Sequence, residues 1–227
     1  MLVIAHRGDQ EATLGNTLEA FESAVELGAP MIELDVQKSK DGELFVLHDQ
    51  SLFRLTGKDE FLSNLGSEQI MQIELEGGYK IPTLNEVLDS LQAKVKLNIK
   101  IKQKGIFDKV FGVLDLYIKN GPWNVDDFVL SSFFHDEIKG AHALRPEFSY
   151  AIIFEGYIVD IEKYLEKFPF IYSVNFNFEY ADKEFVKRIQ DKGFKVYVFT
   201  IKSKSEYNIA KEYGVNGVFV NFLRLAN

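Results

Sequence analysis

MIELDVQKSKDGELFVLHD, residues 31–49, is the stretch that decides how the rest of the chain is counted. It reads as two strands, MIELDVQ (31–37) and LFVLHD (44–49), flanking a short polar turn. Alternation of apolar and polar residues marks each as a strand with one buried face. SKDG (39–42) is too short for a helical crossover, so the two form an antiparallel hairpin. Further strand candidates are LVIAH (2–6), KLNIKIK (96–102), FVLSS (128–132), SYAIIF (149–154), YSVNFNF (172–178), KVYVFT (195–200) and GVFVN (217–221). Helical patterns at 16–28, 83–92, 106–121, 135–145, 158–168, 182–193 and 204–214 separate them. Several of these end at glycine, and Asn16 or Thr17 is placed to cap the first.

Alternating β and α units imply a parallel sheet with right-handed crossovers. Once LFVLHD is set aside as the return arm of the hairpin, eight strands remain, the count of a closed (β/α)8 TIM barrel. The alternative, a doubly wound open sheet, has neither GxGxxG nor GxxxxGK[ST] to support it. The expected fold is therefore α/β: one barrel domain over residues 1–227, with the hairpin and a small insertion (50–82) at the C-terminal rim after the second barrel strand.

The composition suits one large core: 227 residues, 46% hydrophobic, with 20 Phe. A net charge of −8 argues against general nucleic-acid binding, which needs basic stripes. With no cysteine, disulfides, thiolate nucleophiles and Cys-ligated zinc are excluded, and a reducing compartment fits. MLVIAHRGDQ lacks the basic segment of a signal peptide, and no apolar run reaches the roughly 18 residues of a membrane helix. The expectation is a soluble cytoplasmic protein without membrane insertion; oligomeric state is left open.

If SKDG is the loop, Glu33 faces His48 and Asp35 faces Val46, so Glu33, Asp35 and His48 share one face. His6 and Arg7 stand where the first strand ends, and working residues in such barrels lie at strand C-termini. Singly, a histidine at a strand end is more often structural, and a Glu-x-Asp pair is more often a solvated face. Gathered on one rim, they suit phosphoryl chemistry. Histidines near pKa 6.5 exchange protons at neutral pH. Arginine grips phosphate oxygens, and carboxylates offer hard ligands to Mg²⁺ or Ca²⁺.

These residues resemble the glycerophosphodiester phosphodiesterase family. The similarity runs through AHRG (5–8), LGNT (14–17), IELDVQKSKDGELFVLHD (32–49), LFRLTG (52–57), LNIKIK (97–102), VLSSF (129–133), FTIK (199–202) and GVNGVFVN (214–221). It implies a TIM barrel that cleaves a small-molecule glycerophosphodiester to sn-glycerol 3-phosphate and an alcohol. By position, His6 and His48 resemble the catalytic acid/base pair, Arg7 and Lys102 the phosphate-binding cations, and Glu33 and Asp35 two metal ligands. The family's Trp-Thr pair is Phe199-Thr200 here, so Phe199 stands as a pocket wall. Its closing Thr-Asp is Val220-Asn221.

One departure matters most. The family's central strand carries Glu-Ile-Lys, where this chain has Lys100, Ile101 and Lys102. Lys100 puts a cation where the third metal ligand belongs, and an ammonium has no lone pair to give. The formal charge of that trio goes from −3 to −1. An ammonium at about 4 Å from a carboxylate is worth roughly 4 kcal/mol at an effective dielectric near 20, before desolvation. Lys100 is thus expected to sit between Glu33 and Asp35, with Mg²⁺ or Ca²⁺ binding weak or absent. Asn98, Glu155, Asn175, Asn177 or Glu179 is the alternative source of a third oxygen. Two other functions stay open: a non-catalytic phosphate-ligand-binding barrel, in which Arg7, Lys100 and Lys102 make an anion pocket needing no metal, and a lyase forming a cyclic phosphate.

Overall fold

The computed structural model describes residues 1–226. Nine strands form one sheet: β1 (Leu2–His6), β2 (Met31–Lys38), β3 (Leu44–Val46), β4 (Lys96–Ile101), β5 (Phe128–Ser132), β6 (Ser149–Phe154), β7 (Ser173–Asn177), β8 (Lys195–Ile201) and β9 (Gly217–Val220). All but β3 are parallel to their neighbours, and β1 pairs with both β9 and β2, which closes an eight-stranded TIM barrel. β3 lies outside the ring, antiparallel to β2.

The helices are α1 (Leu18–Glu26), α2 (Phe53–Thr56), α3 (Ser67–Met71), α4 (Leu84–Leu91), α5 (Phe107–Asn120), α6 (His135–Leu144), α7 (Ile161–Leu165), α8 (Lys183–Gln190) and α9 (Lys204–Tyr213). The starts of α1, α4, α8 and α9 are fixed by N-cap side chains that satisfy orphan N–H groups. Thr17 caps α1, and Thr83 and Glu86 cap α4 reciprocally. None of these helices is long and apolar enough to cross a membrane, among the described residues.

Strand parity sets what faces where. Ala5, Ile32, Leu34, Leu97, Ile99 and Leu130 point outward into the main core beneath the helices. Ile4, Met31, Val129, Ala151, Tyr197 and Phe219 fill the barrel's lower interior. One layer higher, the same inward faces turn polar, with His6, Glu33, Asp35, Asn98, Lys100, Ser131 and Asn175 all buried.

The hairpin corrects the expected register. Lys38 pairs with Leu44 and Val36 with Val46, so the loop has five residues, 39–43, not the four of SKDG. The first strand runs one residue longer and the second stops at Val46 rather than Asp49. Asp35 O accepts from Leu47 N at 2.9 Å, and His48 lies beyond the ladder. Released from strand parity, it still turns toward the mouth. Residues 50–82 sit over this rim with a small core of Phe45, Leu47, Leu52, Leu62, Ile70 and Leu75. They are tied to the hairpin turn through Lys40 N to Leu65 O (2.8 Å) and Ser67 Oγ to Asp41 Oδ2 (2.7 Å). The helix expected over 158–168 is shorter, Ile161–Leu165, because Phe168-Pro169-Phe170 closes it and the 158–160 approach stays extended or turned.

Candidate active site

His6 ends β1 with its ring at the barrel mouth. Its Nδ1 meets Asn221 Oδ1 at 2.7 Å, just past β9. An amide oxygen only accepts, so Nδ1 carries the proton and Nε2 keeps its lone pair. Gln10 Nε2 donates to the same Asn221 oxygen at 3.0 Å and to His6 O at 2.6 Å, holding the pair in place. Burial, then the Arg7 charge, push the His6 pKa down to about 3, so the ring is neutral at pH 7.

Arg7 adopts a left-handed backbone at φ 60°, uncommon for a side chain of this size. Gly8 follows at φ 85°, where a Cβ would lie 2.6 Å from the Ala20 backbone, so only glycine closes this turn. The turn swings the guanidinium back over β2, with Nε 3.2 Å from Asp35 Oδ2. Its backbone N–H donates to Glu33 Oε2 at 3.2 Å.

Asp35 is wholly buried and touched by three cations. Lys100 Nζ lies 3.4 Å and Lys102 Nζ 3.8 Å from Oδ1, with Arg7 on Oδ2. Asn16 Nδ2 also donates to Oδ2 at 3.0 Å. Burial raises the Asp35 pKa, but Lys100, Arg7 and Lys102 outweigh it and hold the carboxyl well below the usual range. Glu33 goes the other way. Burial and the Asp35 charge push it up to about 7, against Lys100 at 4.0 Å. Lys100 therefore stands between the two carboxylates, as the sequence argument expects, and its outer side lies 5.2 Å from the Phe133 ring centroid.

His48 completes the site from the insertion side. Its Nδ1 donates to Asp49 Oδ1 at 2.7 Å, and Asp49 Oδ2 accepts from Arg54 Nε at 2.5 Å. Burial lowers the His48 pKa, partly offset by Asp35 and by the bond to Asp49. His6, Arg7, His48, Lys100 and Phe199 line one open cleft of about 360 Å³, together with Glu155, Glu179, Lys202 and Glu206. Lys102 does not line this cleft; its Nζ lies 3.8 Å from Asp35 Oδ1.

These side chains do not fit a divalent ion. Among the described residues, no three His, Cys, Asp or Glu side chains converge on one point. Several of the other candidate oxygens already accept hydrogen bonds, and Asn177 Oδ1 accepts from Glu179 N at 3.0 Å. Asn98 Oδ1 accepts from Ser131 Oγ at 2.6 Å, Asn175 Oδ1 from Ser173 Oγ at 2.9 Å, and Glu155 Oε1 from Asn177 Nδ2 at 2.9 Å. Asn16, Asn221 and the Asp49–Arg54 pair were not among the expected site residues. Asn16 and Asp49 stood inside quoted motifs. Asn221 is 215 positions from His6, a contact that only barrel closure creates.

The Glycerophosphoryl diester phosphodiesterase family model matches residues 6–225. The chain belongs to that family. A glycerophosphodiester phosphodiesterase of Caldanaerobacter subterraneus subsp. tengcongensis is 30% identical, over 97% of this chain and 93% of its own. One from Bacillus altitudinis is also 30% identical, over 97% and 94%. Among solved structures, the glycerophosphodiester phosphodiesterase of Thermotoga maritima superposes with TM-score 0.78 at 28% identity, covering 100% of this chain and 96% of that one. An Oleispira antarctica phosphodiesterase in complex with the product sn-glycerol-3-phosphate shares the fold at TM-score 0.88 and 24% identity, covering 100% and 95%. The relatives so named are phosphoric diester hydrolases.

Proposed function

We propose that this family member hydrolyses a glycerophosphodiester to sn-glycerol 3-phosphate and an alcohol, using tethered cations in place of a divalent ion. The observation that carries this reading is the charge balance at the mouth. Arg7, Lys100 and Lys102 form their close ion pairs with Glu33 and Asp35, three cations against two carboxylates. A phosphodiester monoanion supplies the missing negative charge, and desolvation strengthens that attraction. Arg7 and Lys100 line the cleft and contact the phosphoryl oxygens; Lys102 acts from behind Asp35.

His6 is neutral with a free Nε2 and serves as the base. His48 is backed by the Asp49 carboxylate, which stabilises its protonated form, and serves as the acid that protonates the departing alcohol. Phe199 walls the cleft. Glu33 and Asp35 position the ammonium groups rather than an ion, so Mg²⁺ or Ca²⁺ binds weakly or not at all. The whole chain acts as one barrel domain, and its lack of cysteine suits the cytoplasm.

Phosphorus NMR on glycerophosphocholine tests this reading. The expected product is a phosphate monoester, formed at the same rate with and without chelator. No turnover alongside measurable binding would make the barrel a binder, and a cyclic phosphate would make it a lyase.

A further inference from the structure

Of the two proton carriers, His48 is the one outside the strands: β3 ends at Val46. Gln37 of β2 holds its main chain instead. The buried Gln37 Nε2 donates to Leu47 O at 2.7 Å and to Asp49 O at 2.9 Å, the carbonyls on either side of His48. The backbone is thereby fixed from the barrel, but the ring still has two side-chain torsions to settle. A general acid works when its proton lies within hydrogen-bond reach of the departing oxygen.

The ring is settled from the insertion. Asp49 Oδ1 accepts from His48 Nδ1 at 2.7 Å, which leaves Nε2 as the nitrogen for the cleft. A carboxylate held through one oxygen can still swing about its own torsions. Arg54 Nε takes the other oxygen at 2.5 Å, so both ends of the Asp49 carboxylate are tied. Arg54 lies in α2, which is anchored at Leu52, wholly buried in the insertion's small core. Leu52 N donates to Glu60 O at 2.8 Å, and Leu52 O accepts from Thr56 Oγ1 at 3.0 Å. A line of contacts thus runs from the insertion's core through α2 and Asp49 to the imidazole.

Stability does not account for the Arg54–Asp49 pair. The Arg54 side chain is 65% exposed, and exposed ion pairs add little to a fold. Phosphate binding does not account for it either, since Arg54 does not line the cleft of His6, Arg7 and Lys100. It lines a separate space of about 280 Å³ that also reaches Arg7, His48 and Asp49. Arg7 is the other cation there. With both Asp49 oxygens taken, Arg7 stays with Asp35 and with the phosphate.

We propose that Arg54 is a positioning residue for the acid step: through Asp49 it aims the His48 ring, so that the insertion takes part in the reaction. This rests on the phosphodiesterase reading and deepens it. In that step the P–O bond to the alcohol breaks and its electron pair goes to the alcohol oxygen. The proton on His48 Nε2 moves to the same oxygen, while the Nδ1 proton stays on its bond to Asp49. The consequence is a dependence on the departing group. Choline needs that proton to leave; p-nitrophenolate is stable without it.

The test compares glycerophosphocholine with the p-nitrophenyl ester of sn-glycerol 3-phosphate, which has the same retained arm. In Arg54→Ala, kcat for glycerophosphocholine should fall about tenfold to a hundredfold, with KM changed less than about threefold. For the p-nitrophenyl ester, kcat should fall less than about threefold. Guanidinium ion at millimolar concentration can enter the exposed site and should restore part of the lost kcat, where sodium chloride at the same concentration does not. Arg54→Lys, which keeps the charge, should lie between the wild type and Arg54→Ala. If urea midpoints show that the alanine variant folds poorly, Arg54→Gln should give the same split between the two esters. Equal losses on both esters would make Arg54 a residue of the fold or of the phosphate site, and no loss on either would show that Asp49 needs no second tether; each result overturns the proposal and leaves the phosphodiesterase reading standing. A wild type that cleaves neither ester would remove both.

Discussion

On the β1–β2–β4 side of the mouth, Glu33 and Asp35 are buried against Arg7, Lys100 and Lys102. On the β5–β8 side, the inward groups at the same height are Ser131, Ile153, Asn175 and Phe199, none of them charged. Charged groups return in the cleft lining as Glu155, Glu179, Lys202 and Glu206. Burying a charge costs several kcal/mol unless it is paired, so the charged side must be built as a unit, every carboxylate with its cation. The neutral side carries no such constraint and can vary in shape. One side holds the phosphate and moves protons; the other shapes what is attached to it.

The contrast breaks first if the histidines are not the proton carriers. Both stand on or beside the charged side, and His6→Ala or His48→Ala should each lower kcat by about a thousandfold, read in steady-state assays with glycerophosphocholine. A comparable loss from replacing an edge acid such as Glu179 would mean that the two sides are not divided as described.

Next in size is the structural cost of the charged unit. Lys100→Met leaves Glu33 and Asp35 with fewer counter-charges and should destabilise the fold by about 3 kcal/mol in urea unfolding. Asn177→Leu, on the neutral side and partly exposed, should change stability by less than about 1 kcal/mol.

The smallest effect is in pH dependence. His6 titrates near 6.5 when unfolded and about 3 when folded, so its contribution is lost as pH falls through that window. Glu33 is raised from 4.5 to about 7, so its contribution is present at low pH and lost as pH rises through that range. Between pH 4.5 and 6.5 the two slopes oppose each other, each near 1.4 kcal/mol per pH unit at most. His6→Asn removes one of them. Relative to the wild type, the variant should gain stability as pH falls across this interval, measured by urea midpoints at several pH values.

The barrel was legible because strand and helix periods alternate cleanly. Eight strands remain once LFVLHD is taken as the hairpin's return, and the eight βα strands fall within a residue or so of where the pattern puts them. The position of Lys100 was legible too, since inward parity on β4 and charge leave it one place to go. The hairpin register was not. Loop length was assumed, and Ser39 Oγ draws a fifth residue into the turn by accepting from Glu43 N at 2.9 Å. Nor could the sequence show which amides are satisfied. That Asn98 and Asn175 spend their oxygens on serines depends on neighbours brought together by β4–β5 pairing and by the two-residue repeat within β7.

The central claim is that the Lys100 ammonium holds the place between Glu33 and Asp35. Isothermal titration with Ca²⁺ and Mg²⁺, on the wild type and on Lys100→Glu, tests it most directly. No binding tighter than millimolar in the wild type, and saturable binding at least about a hundredfold tighter once a third carboxylate is present, is the expected result. Micromolar binding by the wild-type chain would contradict it.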